Sequence, residues 1–493
     1  MHPERKSMNP LVQSMTNAST TLNGGATNAS SLNPVVDLFF QIGAMRGWEE
    51  SNIVSTFVSA LEHNPEQALK VLFWARDIRQ GTGERRTFRT VCQHLAGSHT
   101  EVMSRLIPLI PEYGRWDDLL LFISPNNEIA PCEFVALSVI TSALRSGDAL
   151  CAKWMPREKS SKGAIARKIR KYMGLSPKAY RKLLSGLTQV VENQMCSGDW
   201  DGIEYGHVPS QAMRIYKGAF KRHSEERWAS YEEGLAAGTE KVNAGAIYPH
   251  EIIGSYISEY QQAAIPPVSE AQWNALPNWL MNNPYRILPV VDTSGSMYGG
   301  YGMETSVKPI QVSVSLGLYV AERNNGPFKN CFVTFSEKPT MQIVRGDTLS
   351  ERVYSISSAK WGMSTNLNGT FDVILSHAKR NRVMQSDMPN VILILSDMEF
   401  NQGVDPNSTS MEHVRHAYSA AGYEVPKIVF WNLNARTGNV PVTFREDGTA
   451  LVSGFSPSIM KSLLAGKDFT PEGIMMETIG GERYAAVSSA IAA

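Results

Sequence analysis

Apolar positions recur at helical spacing from Pro34 to about Trp279, after which the period changes. Val36, Phe39, Phe40, Gly43 and Ala44 fall on one face of a helix, and Ile53, Phe57, Ala60 and Leu61 repeat the spacing. Ala68, Leu69, Leu72, Phe73 and Ala75 follow, and amphipathic stretches continue over 102–109, 116–123, 134–144, 180–191 and 212–220. Pro108, Pro111, Pro131, Pro156, Pro177 and Pro209 cut these into short helices. Beyond Pro284 the apolar runs become short and β-rich, which predicts strands at Ile287–Val291, Cys331–Phe335, Val391–Leu395 and Ile428–Leu433, and a weaker one at Ala450–Val452. Between them, Thr305–Arg323 and Asn366–Lys379 each carry a single apolar stripe at helical spacing. Strands that are apolar throughout and alternate with helices predict a parallel sheet covered on both faces. Such a doubly wound domain binds ligands at the carboxyl ends of its strands.

A chain of 493 residues exceeds one ordinary core, so several units are expected. The fold class is α + α/β. Residues 1–33 read as a flexible arm, because the run from Asn17 to Ser31 is small, polar and without period. Residues 34–283 read as an all-α array of stacked short helices in the manner of HEAT repeats, without a clean fixed period, and 284–493 as the α/β domain. A hydrophobic share of 43% and a charged share of 19% suit a soluble globular protein. No apolar run approaches a membrane span, so no membrane association is expected. No signal peptide is visible, and five scattered cysteines outside any C-x-x-C pair read as thiols of a reducing compartment. A cytoplasmic location is the resulting expectation.

Three segments carry oxygen-bearing side chains to strand ends or loops. They are Asp292-Thr-Ser294-Gly-Ser296 after the first predicted strand, Trp361-Gly-Met-Ser-Thr365-Asn366-Leu before a helix, and Ser396-Asp397 after the run 391–395. In a doubly wound fold all three meet at one edge. A hard divalent cation takes oxygen ligands and keeps several waters, so one or two carboxylates plus hydroxyls suffice. The D-x-S-x-S spacing with Thr365 and Asp397 in these places resembles the metal-ion-dependent adhesion site of von Willebrand A domains. By that resemblance Asp292, Ser294 and Ser296 form the first ligand loop, Thr365 the second and Asp397 the third, around Mg²⁺ or another divalent cation. The sequence departs from the pattern at Asp397-Met398-Glu399, where such domains often have an Asp-Gly pair. Glu399 would either add charge to the site or accept a hydrogen bond just behind it.

The helical half carries two basic features. In 76–86, two glycines stand among four arginines without the spacing of a phosphate loop. This segment is either an inter-helix turn with internally paired arginines or an anion or RNA contact. From Lys153 to Lys182, eleven basic residues face a single acid, Glu158. Lys153, Arg157, Lys159, Lys162, Arg167, Lys168, Arg170, Lys171, Arg181 and Lys182 are candidate phosphate contacts, and Lys178 belongs to the same run. Tyr172 is the candidate stacking residue, with Trp154 and Tyr180 interleaved.

The order of parts, with Trp74–Arg86, Tyr113–Leu119, Lys153–Glu158 and Leu395–Phe400, resembles the Ro autoantigen family, and more closely its less characterised relatives. In that family a TROVE module, a HEAT-repeat ring, is closed by a von Willebrand A domain. The likeness runs from Pro34 to Phe455. It implies binding of structured or single-stranded RNA through the basic helical surface, in a ribonucleoprotein, with the metal domain closing the ring. The alternative is a protein-interaction scaffold whose metal captures a partner carboxylate. An enzyme is not expected, because no nucleophile–base pair accompanies Asp292 and His377 reads as a surface residue.

Overall fold

The computed structural model describes residues 17–492 except 127, 189, 259, 299–306, 360–364, 402–409, 436–437 and 467. Residues 1–16 of the expected arm and 361–364 of the second ligand segment therefore lie outside the described residues. The rest of the expected arm is not flexible chain. Strands β1 (Ala18–Thr20) and β2 (Ala26–Asn28) pair antiparallel around a turn at Thr21–Gly25. The hairpin bridges to Asn401 through Gly24 and to Val440 through Asn28. Partners more than 370 residues away supply the backbone hydrogen bonds that its polar composition cannot gain from a core of its own.

Asn33 caps the first helix, Pro34–Ile42. Its side chain accepts from the Val35 and Val36 N–H groups, and Pro34 takes the first helical position, where an absent N–H costs little. Helices Glu50–His63, Pro65–Arg76, Arg86–Ser98, Thr100–Leu106, Pro131–Arg145, Ala149–Trp154, Gly163–Tyr172 and Pro177–Leu187 follow, packed chiefly on near neighbours in sequence. That pattern makes a stacked helical array. Its first part shares one continuous apolar core with the sheet domain. Residues 191–268 build a second core around Met213, Phe220, Trp228, Tyr231 and Val268.

Among the described residues, β3 (Ile287–Asp292), β4 (Cys331–Phe335), β5 (Met341–Ile343), β6 (Val391–Ser396), β7 (Lys427–Asn432) and β8 (Thr449–Ser453) form one sheet in the order β5-β4-β3-β6-β7-β8. Neighbours run parallel except β5, which is antiparallel to β4. This is a doubly wound α/β domain. Its order reverses between β3 and β6, which opens a crevice at their carboxyl ends. The expected helices are present at Pro309–Arg323 and Leu367–Asn381. Cys92, Cys132 and Cys151 are buried free thiols, but Cys196 is exposed. Among the described residues no helix is long and apolar enough to cross a membrane.

The two halves are welded at several points. Helix Pro34–Ile42 lies along β8. There Ser453 Oγ donates to Phe39 O (2.8 Å) and accepts from Gly43 N (3.1 Å). A Cβ on Gly43 would stand 2.7 Å from Gly454 Cα, and Gly454 itself has φ +103°. Gly43→Val is therefore expected to destabilise the protein by about 1–3 kcal/mol, the usual cost of overpacking. Thermal unfolding measures this, and an unchanged melting temperature would contradict the close approach. The far end of the array also rests on the sheet domain, where Gln311 Nε2 donates to Gly254 O (2.9 Å) and Trp273 Nε1 to Glu322 (2.8 Å). The C-terminal helix Ala485–Ala492 then returns to pack on helices Pro65–Arg76 and Thr100–Leu106.

Candidate functional site

Asp292 ends β3 and is fully buried at the crevice. Its Oδ1 accepts from Ser294 N (2.8 Å), and its Oδ2 accepts from Ser396 Oγ (2.5 Å) at the end of neighbouring β6. The Ser294 and Ser296 hydroxyls lie 3.0 Å apart. Asp397, one residue beyond β6, is buried and takes Glu399 N on Oδ1 (3.3 Å). Thr365 is also buried; its hydroxyl donates to Glu399 O, and its backbone N–H donates to Asn401 Oδ1 (3.3 Å). The second and third segments are thus bonded to each other, and the first is bonded to the third through Ser396.

These residues fit a hard divalent cation. Burial, and then the charge of Asp397, push the Asp292 carboxyl up to about 7. Two carboxylates taken out of water beside each other repel, and a cation between them relieves both costs. Ser294, Ser296 and Thr365 keep hydroxyl lone pairs after donating their single hydrogens. The candidate donors are therefore two carboxylates and three hydroxyls, all oxygen, a set that Mg²⁺ accepts.

The third segment explains its own departure from the usual Asp-Gly. Met398 has φ +65°, the left-handed region that glycine enters freely and a side chain resists. It is held there by Met398 N donating to Ser396 Oγ (3.0 Å) and by Met398 O accepting from Asn439 Nδ2 (2.8 Å). The Glu399 carboxylate accepts from Leu22 N (2.7 Å) and Asn439 Nδ2 (3.1 Å), so it binds the hairpin turn and the 438–440 loop.

The basic stretch separates into two kinds of residue. Lys168 Nζ reaches Glu133 at 2.6 Å, Arg170 Nε reaches Glu158 at 2.6 Å, and Lys153 Nζ stands 3.9 Å from Glu192. Lys168 also donates to the carbonyls of Asn126 and Glu128. These three of the candidate phosphate contacts are thus paired with carboxylates within the array. Arg157, Lys159, Lys162, Arg167, Lys171, Lys178, Arg181 and Lys182 are exposed. Tyr172 is half-buried, with its hydroxyl 2.9 Å from Ser138 Oγ and its ring edge-on to the exposed Phe134. Tyr180 is buried beside Leu184 on the inner stripe of its helix and cannot stack a base, and Trp154 is covered by the Arg115 guanidinium at 4.0 Å.

Two families match the chain, each described as a domain of unknown function: DUF2828 over residues 21–121 and 135–283, and DUF7788 over 286–487. An uncharacterised protein of Acanthamoeba polyphaga mimivirus is 30% identical over 94% of this chain and 88% of its own length. The chain belongs to the DUF2828 family. The crystal structure of the Deinococcus radiodurans RO (RSR) protein aligns with 92% of this chain and 100% of its own, at 13% identity and a TM-score of 0.36.

The arginine-rich turn of this DUF2828 protein is internally paired. Arg76 and Asp118, both buried, meet at 2.7 Å, and Asp118 also takes Arg89 Nε (2.6 Å). Arg85 pairs with Asp117 (2.5 Å), and Arg86 donates to Trp48 O (2.7 Å). Asp77 holds Arg483 and the Tyr484 hydroxyl of the C-terminal segment. Gly83 has φ +69°, and a Cβ on Gly81 would fall 1.8 Å from Trp74 O, so each glycine answers a backbone need. The turn is thus a junction. Asp118→Ala should cost about 3–5 kcal/mol, because it strands a buried guanidinium. A loss under about 1 kcal/mol in denaturant titration would contradict that role.

Asn401, Asn439 and the hairpin escaped the sequence reading, and Ser396 was named there without its bond to Asp292. Asn23-Gly24 between β-branched positions was the available signal, the dipeptide that favours tight hairpin turns.

Proposed function

We propose that this protein binds RNA through the exposed cations of residues 157–182, on helices Gly163–Tyr172 and Pro177–Leu187 and the segment before them, while a Mg²⁺ site organises the sheet domain that both ends of the array rest on. The observation that carries the reading is the set of eight exposed cations on one short stretch, left over after Glu133, Glu158 and Glu192 have taken theirs. Such a face repels itself and gains by releasing counter-ions from a phosphate backbone. Tyr172 and Phe134 at its border offer aromatic surface for an unpaired base. The reading is of a binding protein and not an enzyme, with the hydroxyls of 294, 296 and 365 serving as ligands. Tyr172→Ala tests the single-strand component: affinity for an unstructured oligonucleotide should fall by about 1–3 kcal/mol, with duplex binding unchanged. Equal losses on both would favour shape reading of a duplex. A second reading, capture of a partner carboxylate by the metal, is favoured by Leu22, whose side chain is 76% exposed on the turn that touches the third ligand loop.

A further inference from the structure

We propose that the N-terminal hairpin, acting through Glu399 and Asn439, is the positioning device that holds Thr365 and the third ligand loop in ligating shape. The inference rests on the metal reading above.

Every residue from 398 to 401 is bonded outside its own loop, and the hairpin turn supplies several of the described partners. Leu22 N donates to the Glu399 carboxylate (2.7 Å), Asn23 Nδ2 to Glu399 O (2.7 Å) and the Thr21 hydroxyl to Phe400 O. Gly24 and Asn401 form a β-bridge, and a Cβ on Gly25 would fall 2.6 Å from Phe400 O, so the turn lies flush on the loop. Asn439 closes the other side, donating to both Met398 O and Glu399 Oε1. The clamp passes inward, because Asn401 N donates to Thr365 O (2.8 Å) and Asn401 Oδ1 accepts from Thr365 N. A change in the turn at Thr21–Gly25 thus reaches Asp397 and Thr365 through two hydrogen-bonded steps.

The backbone of the loop shows why a clamp is needed. Met398 occupies a left-handed conformation that costs a side chain free energy and persists only where surroundings over-determine it. Asp397 precedes that residue, so relaxation of Met398 would swing the carboxylate away from Asp292. Groups behind a ligand that fix its direction commonly change metal affinity tenfold to a hundredfold when removed.

The test is Mg²⁺ calorimetry on the full chain, paired with hydrogen exchange of segments 17–28 and 397–401. Glu399→Ala should weaken Mg²⁺ binding by about tenfold to a hundredfold and speed exchange in both segments, with exchange in helix Pro131–Arg145 unchanged. Glu399→Gln, which keeps an oxygen for Leu22 N–H, should recover part of the affinity. Asn23→Ala, at an exposed turn position, should give a smaller loss in the same direction and decides the matter should the Glu399 variants fail to fold. If wild type binds and the Ala variants bind Mg²⁺ equally well, the positioning role is wrong while the metal site stands. If wild type takes up no Mg²⁺ at millimolar concentration, the metal reading itself fails and this inference with it.

Discussion

Asp292→Asn is expected to abolish Mg²⁺ binding while leaving the metal-free protein as stable as wild type or more so. The amide is close in shape to the carboxylate. Its oxygen can still accept from Ser294 N, and its NH₂ can donate to Ser396 Oγ, whose own hydrogen, given to Asp292 in the wild type, must turn to another acceptor. What disappears is a charge buried beside Asp397. In the metal-free protein that charge is costly, as the rise of the Asp292 carboxyl to about 7 records. An acid with a raised folded pKa stabilises the fold while protonated. That contribution is complete below the unfolded value of about 3.9 and is lost as pH rises toward 7. The metal-free wild type should therefore lose stability over that window, and the Asn variant should lack this part of the slope. Saturating Mg²⁺ should reverse the ranking, since a ligand at a hundred times its Kd adds about 2.7 kcal/mol to the protein that binds it. Calorimetry and melting curves with and without Mg²⁺ read all three effects. Wild-type affinity in the variant would remove Asp292 from the site.

Charge reversal on the helical face carries the second large effect. Lys171, Arg181 and Lys182 are exposed, so replacing all three by Glu should barely move the melting temperature. RNA affinity should fall roughly a hundredfold to a thousandfold, and neutral Gln replacements should flatten the salt dependence by about 0.7 log–log units per lost single-strand contact. Lys168→Glu should behave in the opposite way. It faces the buried Glu133, so it should unfold the array locally before it says anything about RNA. A triple variant that binds like wild type at matched ionic strength would leave the carboxylate-capture reading in front.

The helical and sheet halves were legible because their apolar periods differ and because each strand of the central sheet is buried on both faces. β5 was not, since Met341–Ile343 is a three-residue edge strand with half-exposed side chains and no apolar run. The candidate ligands Asp292, Ser294, Ser296, Thr365 and Asp397 could be picked out because strand ends and spacing point to one edge. Their support could not, because Glu399 answers to Leu22 and Asn439 across the whole length of the chain. Charge counting along 153–182 likewise found a basic surface but could not see that Glu133 and Glu192, outside the run, neutralise Lys168 and Lys153. Tyr180 failed as a stacking residue for a periodic reason: it sits four residues before Leu184 on the buried side of its helix.

Whether the exposed cations form a nucleic-acid surface is decided by a salt titration of wild-type binding to a fluorescent single-stranded RNA. Binding at low salt should weaken linearly on a log–log plot, with a slope of about −3 or steeper, equivalent to roughly four or more phosphate contacts. No binding at about 50 mM salt, or binding indifferent to salt, would contradict it.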